Sequence, residues 1–467
     1  MPKRDEKTDM KGLQNTHSTG ANVILHAFDW KYADVAQRAA EIRALGYGSV
    51  LVSPPMKSEQ DERWWLRYQP QDYRVIENAL GNTTDFKAMV EALNRVGVLT
   101  YVDVVFNHMA NEAHVRSDLN YPSQAVMAAY HAHEDHYRTL TLFGDLSEPL
   151  FTKHDFVEAF GIQNWKDTWQ VQNGRISGGA SDPGLPTLRV CDHVIEQQRA
   201  YLKALKAIGV KGFRIDAAKH MTLEHLKRVW TDDITHDAHI FGEIITDGGA
   251  SKEEYELFLA PYLQETCLGA YDFPLFSTLY QVLSKQGSLK SLIDPYCFGQ
   301  ALSRGRAITF AITHDIPNND VFLDLVMDEA SEWLAYAYIL GRDGGVPLIY
   351  TDLDTSGIKG EDGQPRWRNA WKNPKMVKMI AFHNLTHGEP MSVLEATDDR
   401  LVIQRGEKGI LILNKSPNLQ SLSLTLENEW TDILSGITVL SGQRIDVSAQ
   451  SAMMLVPAIN PQVAKTR

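Results

Sequence analysis

Residues 98–108 read VLTYVDVVFNH, a run of apolar and β-branched residues that ends on an amide and an imidazole and carries one acid near its end. A strand buried on both faces carries such a continuous run, because neither face is left for alternating polar residues. The same type of run recurs as VILHAF at 23–28, SVLVS at 49–53, VKGFRID at 210–216, HIFGEII at 239–245, AITFAIT at 307–313 and VPLIYTD at 346–352. A weaker eighth lies at LGAYDFP, 268–274. Between the runs are amphipathic stretches such as DVAQRAAEIRALG, DFKAMVEALNRVG and QRAYLKALKAIG, each closing on the glycine that favours a helix end.

Strand–helix alternation of this kind builds a parallel sheet covered by helices. Eight strands suit a closed (β/α)8 barrel. A doubly wound open sheet is the alternative, but no Gly-rich phosphate loop follows the first strand to favour it. Two interruptions divide the chain further. A long excursion after VVFNH, rich in His, aromatic and Gly residues and ending in SGGASDPGLP, predicts a subdomain inserted after the third strand. Beyond residue 388 the helical period stops, and RLVIQRG, GILILNKS, SLSLTL and AQSAMMLVP alternate as short strands, predicting a C-terminal antiparallel β-sandwich domain. The expected layout is a polar segment at 1–20, the barrel at 21–108 and 189–387, the insertion (subdomain B) at 109–188 and the β domain at 388–467.

Several acids fall at strand ends. Asp103 precedes Asn107 and His108, Asp216 closes the fourth strand, Glu243 the fifth, and Asp315, after His314, the seventh. In a parallel barrel the carboxyl-terminal strand ends form one rim, so these acids converge in a single cleft. Scattered helix caps would explain a lone acid, but not four, three of them with a neighbouring His or Arg. Arg214 and Asp216 are two apart and share a strand face, so the guanidinium is expected to lower the pKa of Asp216 and keep it ionised. Glu243, after the apolar HIFG, is expected to sit drier, with a raised pKa suited to a general acid. The segment RWWLRYQPQDY at 63–73 adds flat rings for the apolar faces of a sugar, with Gln69 and Asp72 to bond hydroxyls.

The overall balance bounds the partners. The 467 residues carry a formal charge of −13 with no Lys/Arg run, which argues against nucleic acid. Apolar content of 43% is that of a globular protein, and no stretch is long enough to span a membrane. Cys191, Cys267 and Cys297 are too scattered for a metal cluster or disulfide framework and are read as buried free thiols. MPKRDEKTDMKGLQNTHSTG lacks an apolar signal core, so the chain as written is expected to be cytoplasmic, or extracellular if a leader was removed. A monomer is the default.

With these residues in place, the chain resembles the α-amylase family of glycoside hydrolases, and within it the animal-type enzymes and their bacterial relatives. The resemblance rests on DVVFNH at 103–108, GFRIDAAKH at 212–220, FGEII at 241–245, AITHD at 311–315 and the loop WWLRYQPQDY at 64–73. It implies retaining hydrolysis of internal α-1,4-glucosidic bonds in starch, glycogen or maltooligosaccharides. Asp216 would be the nucleophile, Glu243 the general acid/base and Asp315 the third carboxylate. His108 and His314 would bond the sugar, Arg214 would orient Asp216, Tyr68 would stack under the sugar with Trp65 further along, and Lys219 and His220 would line the leaving-group side. Asp103 would support the rim.

Two departures bear on cofactors. The resemblance implies a structural calcium held by Asn107, the backbone of His220 and an Asp in an LPDL-type motif. That motif reads Leu185-Pro186-Thr187-Leu188, so Thr187 removes an anionic ligand, with Asp182 nearby as a substitute. An activating chloride would need an Asn where Thr313 stands and a cation where Leu348 stands, so chloride independence is expected. Rival functions are a transglycosylase or α-1,6-glucosidase on the same scaffold, a carbohydrate-binding protein without catalysis, and a divalent-metal enolising site built from the rim acids.

Overall fold

A computed structural model describes residues 22–179, 181–426 and 429–458. The polar segment expected at 1–20 lies outside the described residues. Eight parallel strands close a barrel: β1 (Ile24–Ala27), β2 (Ser49–Val52), β3 (Leu99–Val104), β4 (Gly212–Ile215), β5 (His239–Gly242), β6 (Gly269–Tyr271), β7 (Ala307–Thr309) and β8 (Val346–Thr351). They pair in chain order, and β8 closes on β1 with Leu348 opposite Ile24. Every barrel-strand residue is buried except Leu99 and His239 at two strand starts, which are half-buried. The weaker run at 268–274 is the sixth strand, only three residues long.

One helix follows each strand: α1 (Tyr32–Ala44), α2 (Thr83–Arg95), α3 (Asp192–Ile208), α4 (Leu223–Val229), α5 (Ala260–Glu265), α6 (Phe273–Ser284), α7 (Glu329–Gly341) and α8 (Pro374–Thr386). Asn82 caps α2 by accepting from the backbone of Thr84 and Asp85, while Asp85 accepts from Asn82 N, a reciprocal box. Gly209 ends α3 at φ 118°, a left-handed turn that costs a residue with a Cβ. Inside the barrel Gly212 lies opposite Tyr101, whose ring would come within 2.3 Å of any Cβ there. The missing side chain on β4 makes room for the large one on β3.

Between β3 and α3 the chain forms only short helices, at Gln124–Ala132, Glu134–Leu140 and Thr168–Asn173, tied by isolated bridges such as His108 to Thr187 and Phe156 to Leu188. After α8 come β9 (Met391–Ala396), β10 (Arg400–Arg405), β11 (Gly409–Asn414), β12 (Gln420–Ser423), β13 (Trp430–Asp432), β14 (Thr438–Val439), β15 (Arg444–Val447) and β16 (Ser451–Pro457). Six of them form one antiparallel sheet in the order β9-β10-β11-β16-β13-β14, and β12 pairs with β15 alone. The second layer of the expected sandwich is therefore a two-stranded ribbon. Strand alternation sorts the sheet's side chains: Leu401, Ile403, Leu411, Leu413 and Met454 join the barrel core, while Val402, Ile410, Ile412, Met453 and Leu455 pack under the ribbon with Leu422, Ile445 and Val447.

Among the described residues no helix is long and apolar enough to cross a membrane. The cysteines are free thiols, but Cys267 and Cys297 are exposed and Cys191 half-buried, contrary to the buried placement expected. Each sits in a connection between elements rather than in the core.

Arg405, 2% exposed, joins the two units. Its Nη1 donates to Gly341 O at 3.0 Å, and its Nη2 donates to Thr386 O at 2.9 Å and Glu389 O at 3.1 Å. Gly341 and Thr386 are the last residues of α7 and α8, so one cation satisfies carbonyls that those helices leave without partners. Arg405→Met is expected to destabilise the protein by about 2–3 kcal/mol, because buried carbonyls lose their donors. The urea unfolding midpoint checks this, and an unchanged midpoint would mean that water replaces the guanidinium.

Candidate active site

Backbone pairing sets the acids on the barrel rim. Asp216 N donates to Val104 O at 2.9 Å and Glu243 N to Ile215 O at 3.0 Å, so each acid extends its strand's ladder by one step. Ala217 then adopts φ 48°, uncommon for a residue with a Cβ, and its N–H donates to Glu243 Oε2 at 3.3 Å. Gly242, just before Glu243, has Ala218 and Tyr262 so near that a Cβ would lie 2.9 Å from each. The rim at β4 and β5 is packed too closely for these acids to swing.

All four acids converge on Arg214, which is fully buried. Its Nη1 donates to Asp103 Oδ2 at 2.6 Å and to Asp216 Oδ1 at 2.8 Å. Its Nη2 ion-pairs with Glu243 and stands 3.7 Å from Asp315 Oδ2. One positive charge cannot hold four buried carboxylates ionised. Burial pushes Glu243 up to about 8, against the pull of Arg214 and with help from the charge of Asp315 and a hydrogen bond shared with it. Asp216 is also raised: burial dominates, Arg214 and His108 oppose it, and Glu243 adds to it. The net lowering of Asp216 expected from Arg214 alone is therefore reversed, because desolvation outweighs the ion pair. Burial likewise raises Asp103 and Asp315.

Rings frame the acids. His314 lies between Phe28 (centroids 4.7 Å apart, planes at 23°) and Tyr68 (5.2 Å, 12°). Tyr68 is pinned by its hydroxyl, which donates to Asp103 Oδ2 at 3.0 Å, so one face of its ring covers His314. His108 Nε2 donates to Tyr68 O at 2.9 Å. Burial lowers the pKa of both His108 and His314, leaving neutral imidazoles. Trp65 is 43% exposed on the short helical turn Trp64–Tyr68, and Gln69 Oε1 accepts from Asn111 N at 3.1 Å. Lys219 is 3.3 Å from Glu254, and His220 Nδ1 donates to Val171 O at 2.9 Å.

The structure adds residues that motif reading passed over. Phe28 and His26, at the end of β1, pack on His314. Trp165, half-exposed in the insertion, meets His220 edge-on at 5.9 Å. An aromatic directly after a strand (HAFDW) and a Trp in a polar loop were the available signals.

The residues expected to hold calcium were tested against their contacts. Thr187 Oγ1 donates to Gly174 O at 3.0 Å, an internal bond where the motif would have an acid. Asp182 accepts from Asn111 Nδ2 at 2.5 Å and Gly184 N at 2.9 Å, and the ring of His220 is held by the carbonyl of Val171. Among the described residues no group of three or more His, Cys, Asp or Glu could hold a metal ion. Asp182 is the one anionic donor of this set and is already bonded internally, a poor fit for a hard cation. At the expected chloride position Leu348 is fully buried in β8 and offers no charge, and His26 and His314, packed on each other, have pKa values lowered by burial.

Residues 29–267 match the family model described as the α-amylase catalytic domain. An α-amylase of Aeromonas hydrophila is 44% identical over 451 residues, covering 95% of each chain. An α-amylase-related protein of Drosophila willistoni is 29% identical, over 91% of this chain and 88% of its own. Among solved structures, α-amylase I of Eisenia fetida superposes with a TM-score of 0.70 at 21% identity, over 96% of this chain and 97% of that one, a likeness of fold.

Glu243 carries a pH signature that can be read without substrate. Its folded pKa of about 8 lies above the ordinary 4.5, so the folded chain binds the proton more tightly. That contribution to stability is fully present below the ordinary value and is lost as pH rises through the folded one. Glu243→Gln is therefore expected to match the parent's stability at pH 4 and to exceed it by about 1–3 kcal/mol at pH 8. Unfolding midpoints at both pH values check this, and an equal difference at the two would refute the placement of the proton.

Proposed function

The chain belongs to the α-amylase family and hydrolyses internal bonds of α-glucans, and we propose that it does so by double displacement with Asp216 as nucleophile and Glu243 as acid and base. The observation that carries this reading is the single guanidinium of Arg214 bridging Asp216 and Glu243. Two carboxyl groups drawn to one cation suit the short separation of a retaining pair, about 5–5.5 Å, better than the wider gap that admits a water between them.

Asp216 attacks the anomeric carbon while Glu243, protonated at neutral pH, gives its proton to the departing glycosidic oxygen. The glycosidic C–O bond breaks and a glycosyl ester of Asp216 forms. Glu243, now ionised, takes a proton from water. The resulting oxygen attacks the anomeric carbon, the ester bond breaks, and Asp216 and protonated Glu243 are restored. Asp315 accepts hydrogen bonds from sugar hydroxyls, and neutral His314 can donate to a hydroxyl without adding charge. His108, its one N–H given to Tyr68 O, can bond the sugar only as an acceptor. Tyr68, Trp65 and Gln69 line the glycone side and Lys219 and His220 the aglycone side. An enolising metal site is disfavoured by the cation already seated among the acids.

Asp216→Asn is expected to lower reducing-sugar release from soluble starch by roughly 10⁴-fold or more, and proton NMR of the parent's first product is expected to show the α-anomer. A β-anomer first would overturn retention. Disaccharide transfer in place of chain shortening would favour the transglycosylase alternative.

The cofactor reading follows from the donor sets. Neither calcium nor chloride is proposed as resident, since Thr187 bonds Gly174 and Leu348 offers no charge. Dialysis against EDTA in chloride-free buffer is expected to leave the unfolding midpoint unchanged and activity within about twofold. A fall in the midpoint that added calcium restores would contradict this.

A further inference from the structure

The ring of His314 is held from two segments that are far apart in the chain. Phe28, directly after β1, stacks on it, and so does Tyr68 of the turn Trp64–Tyr68, while Trp64 of the same turn stands at 80° to it. The residues adjoining Phe28 and Tyr68 are Asp29 and Arg67, and they form an ion pair, with Arg67 Nε 3.6 Å from Asp29 Oδ1. Both atoms are buried without a hydrogen-bond partner, so each charge is offset by the other. Arg67 has no exposed surface. Its Nη1 donates to Glu59 O at 3.0 Å, and its Nη2 donates to Arg63 O at 2.9 Å and to Asp61 O, so one side chain gathers the loop that leads into the turn. Asp29 is fixed by its own backbone: its φ of 57° is left-handed, and its N–H donates to Ser53 Oγ at 3.0 Å. Among the described residues no other ion pair joins these two segments.

We propose that Asp29 and Arg67 are positioning residues for the hydrolysis, a clamp that keeps the rings of Phe28 and Tyr68 closed on His314; the inference rests on the reading of the cleft given above. Arg67, having no exposed surface, cannot touch the substrate, so its effect passes through the stack. His314 Nε2 stands 3.4 Å from Asp315 Oδ2, which places the stacked imidazole beside a carboxylate of the cleft. Opening the clamp releases the loop at 59–68 and with it the ring that fixes the plane of the imidazole. A displacement of about 1 Å in such a group can cost about 100-fold in rate, so a loosened stack is felt in the chemical step. Burial pushes Asp29 up to about 6, with the charge of Arg67 opposing and that of Glu62 adding to the rise. The carboxylate is therefore ionised, and the clamp closed, in a neutral or mildly alkaline buffer.

The test uses the full chain at a pH of about 7.5, with maltoheptaose as substrate. Asp29→Asn removes the charge and keeps a side chain that left-handed backbone accepts. It is expected to lower kcat about 10-fold and to leave KM within about twofold, the signature of an interaction made in the transition state. The same change is then made in the His314→Asn background. There it is expected to cost less than about twofold, because the clamp has no imidazole left to position. An equal fall in both backgrounds marks a general loss of structure and overturns the proposal, as does an unchanged kcat in Asp29→Asn. If Asp29→Asn does not fold, Asp29→Gly, which the same backbone favours, carries the cycle instead. A parent that leaves maltoheptaose intact refutes the catalytic reading itself, a result distinct from any in the cycle.

Discussion

One buried cation organises the catalytic face. Arg214 has no exposed surface and meets carboxylates from four strand ends. Such a cluster is costly to desolvate, and pairing offsets only part of that cost. Among the described residues the protein offers these acids no second Lys or Arg partner. It lets the carboxyl groups compete for protons, and Glu243, squeezed between burial and the charge of Asp315, keeps its own near neutral pH. The division of labour proposed for Asp216 and Glu243 thus follows from four acids sharing one guanidinium.

The surroundings hold that arrangement in place without adding charge. Phe28, His314 and Tyr68 form a stack whose imidazole is neutral through burial, and Tyr68 ties the stack to Asp103. The insertion is joined to the barrel by the bond from His220 to Val171 and the bridge from His108 to Thr187, and is tied within itself by the bond from Thr187 to Gly174. These neutral hydrogen bonds help hold the insertion in place.

Away from the rim, the C-terminal sheet serves as a second wall for the barrel. Alternation along β10, β11 and β16 sends one set of side chains into the barrel core and the other under the β12–β15 ribbon. Strand β11 is buried on both faces as a result. Arg405 completes the junction by binding the carbonyl ends of α7 and α8. Since α7 also walls a cavity around Glu332, the sheet supports that cavity from behind.

Local pattern was enough for the barrel and its rim. Continuous apolar runs placed seven strands, and glycines such as Gly209 marked helix ends, because both signals depend on residues near in sequence. The acids at strand ends were legible for the same reason: parallel topology brings strand ends together whatever fills the space between. Strands β9, β13, β14 and β15 escaped notice, the last three being only two to four residues long and β9 half-exposed, and the ribbon-like second layer depends on pairings that no single segment encodes. Tertiary structure alone decided the proton balance. Asp216 beside Arg214 reads as an acid with a lowered pKa until burial and Glu243 are counted, and those come from four distant segments. The packing of Phe28 and His26 on His314, the placing of Trp165 beside His220 and the cavity behind Glu332 likewise come from residues far apart in the chain. Sequence determined which residues stand on the rim; only folding decided how much water and charge each would share, because desolvation belongs to the assembled core and not to any segment of it.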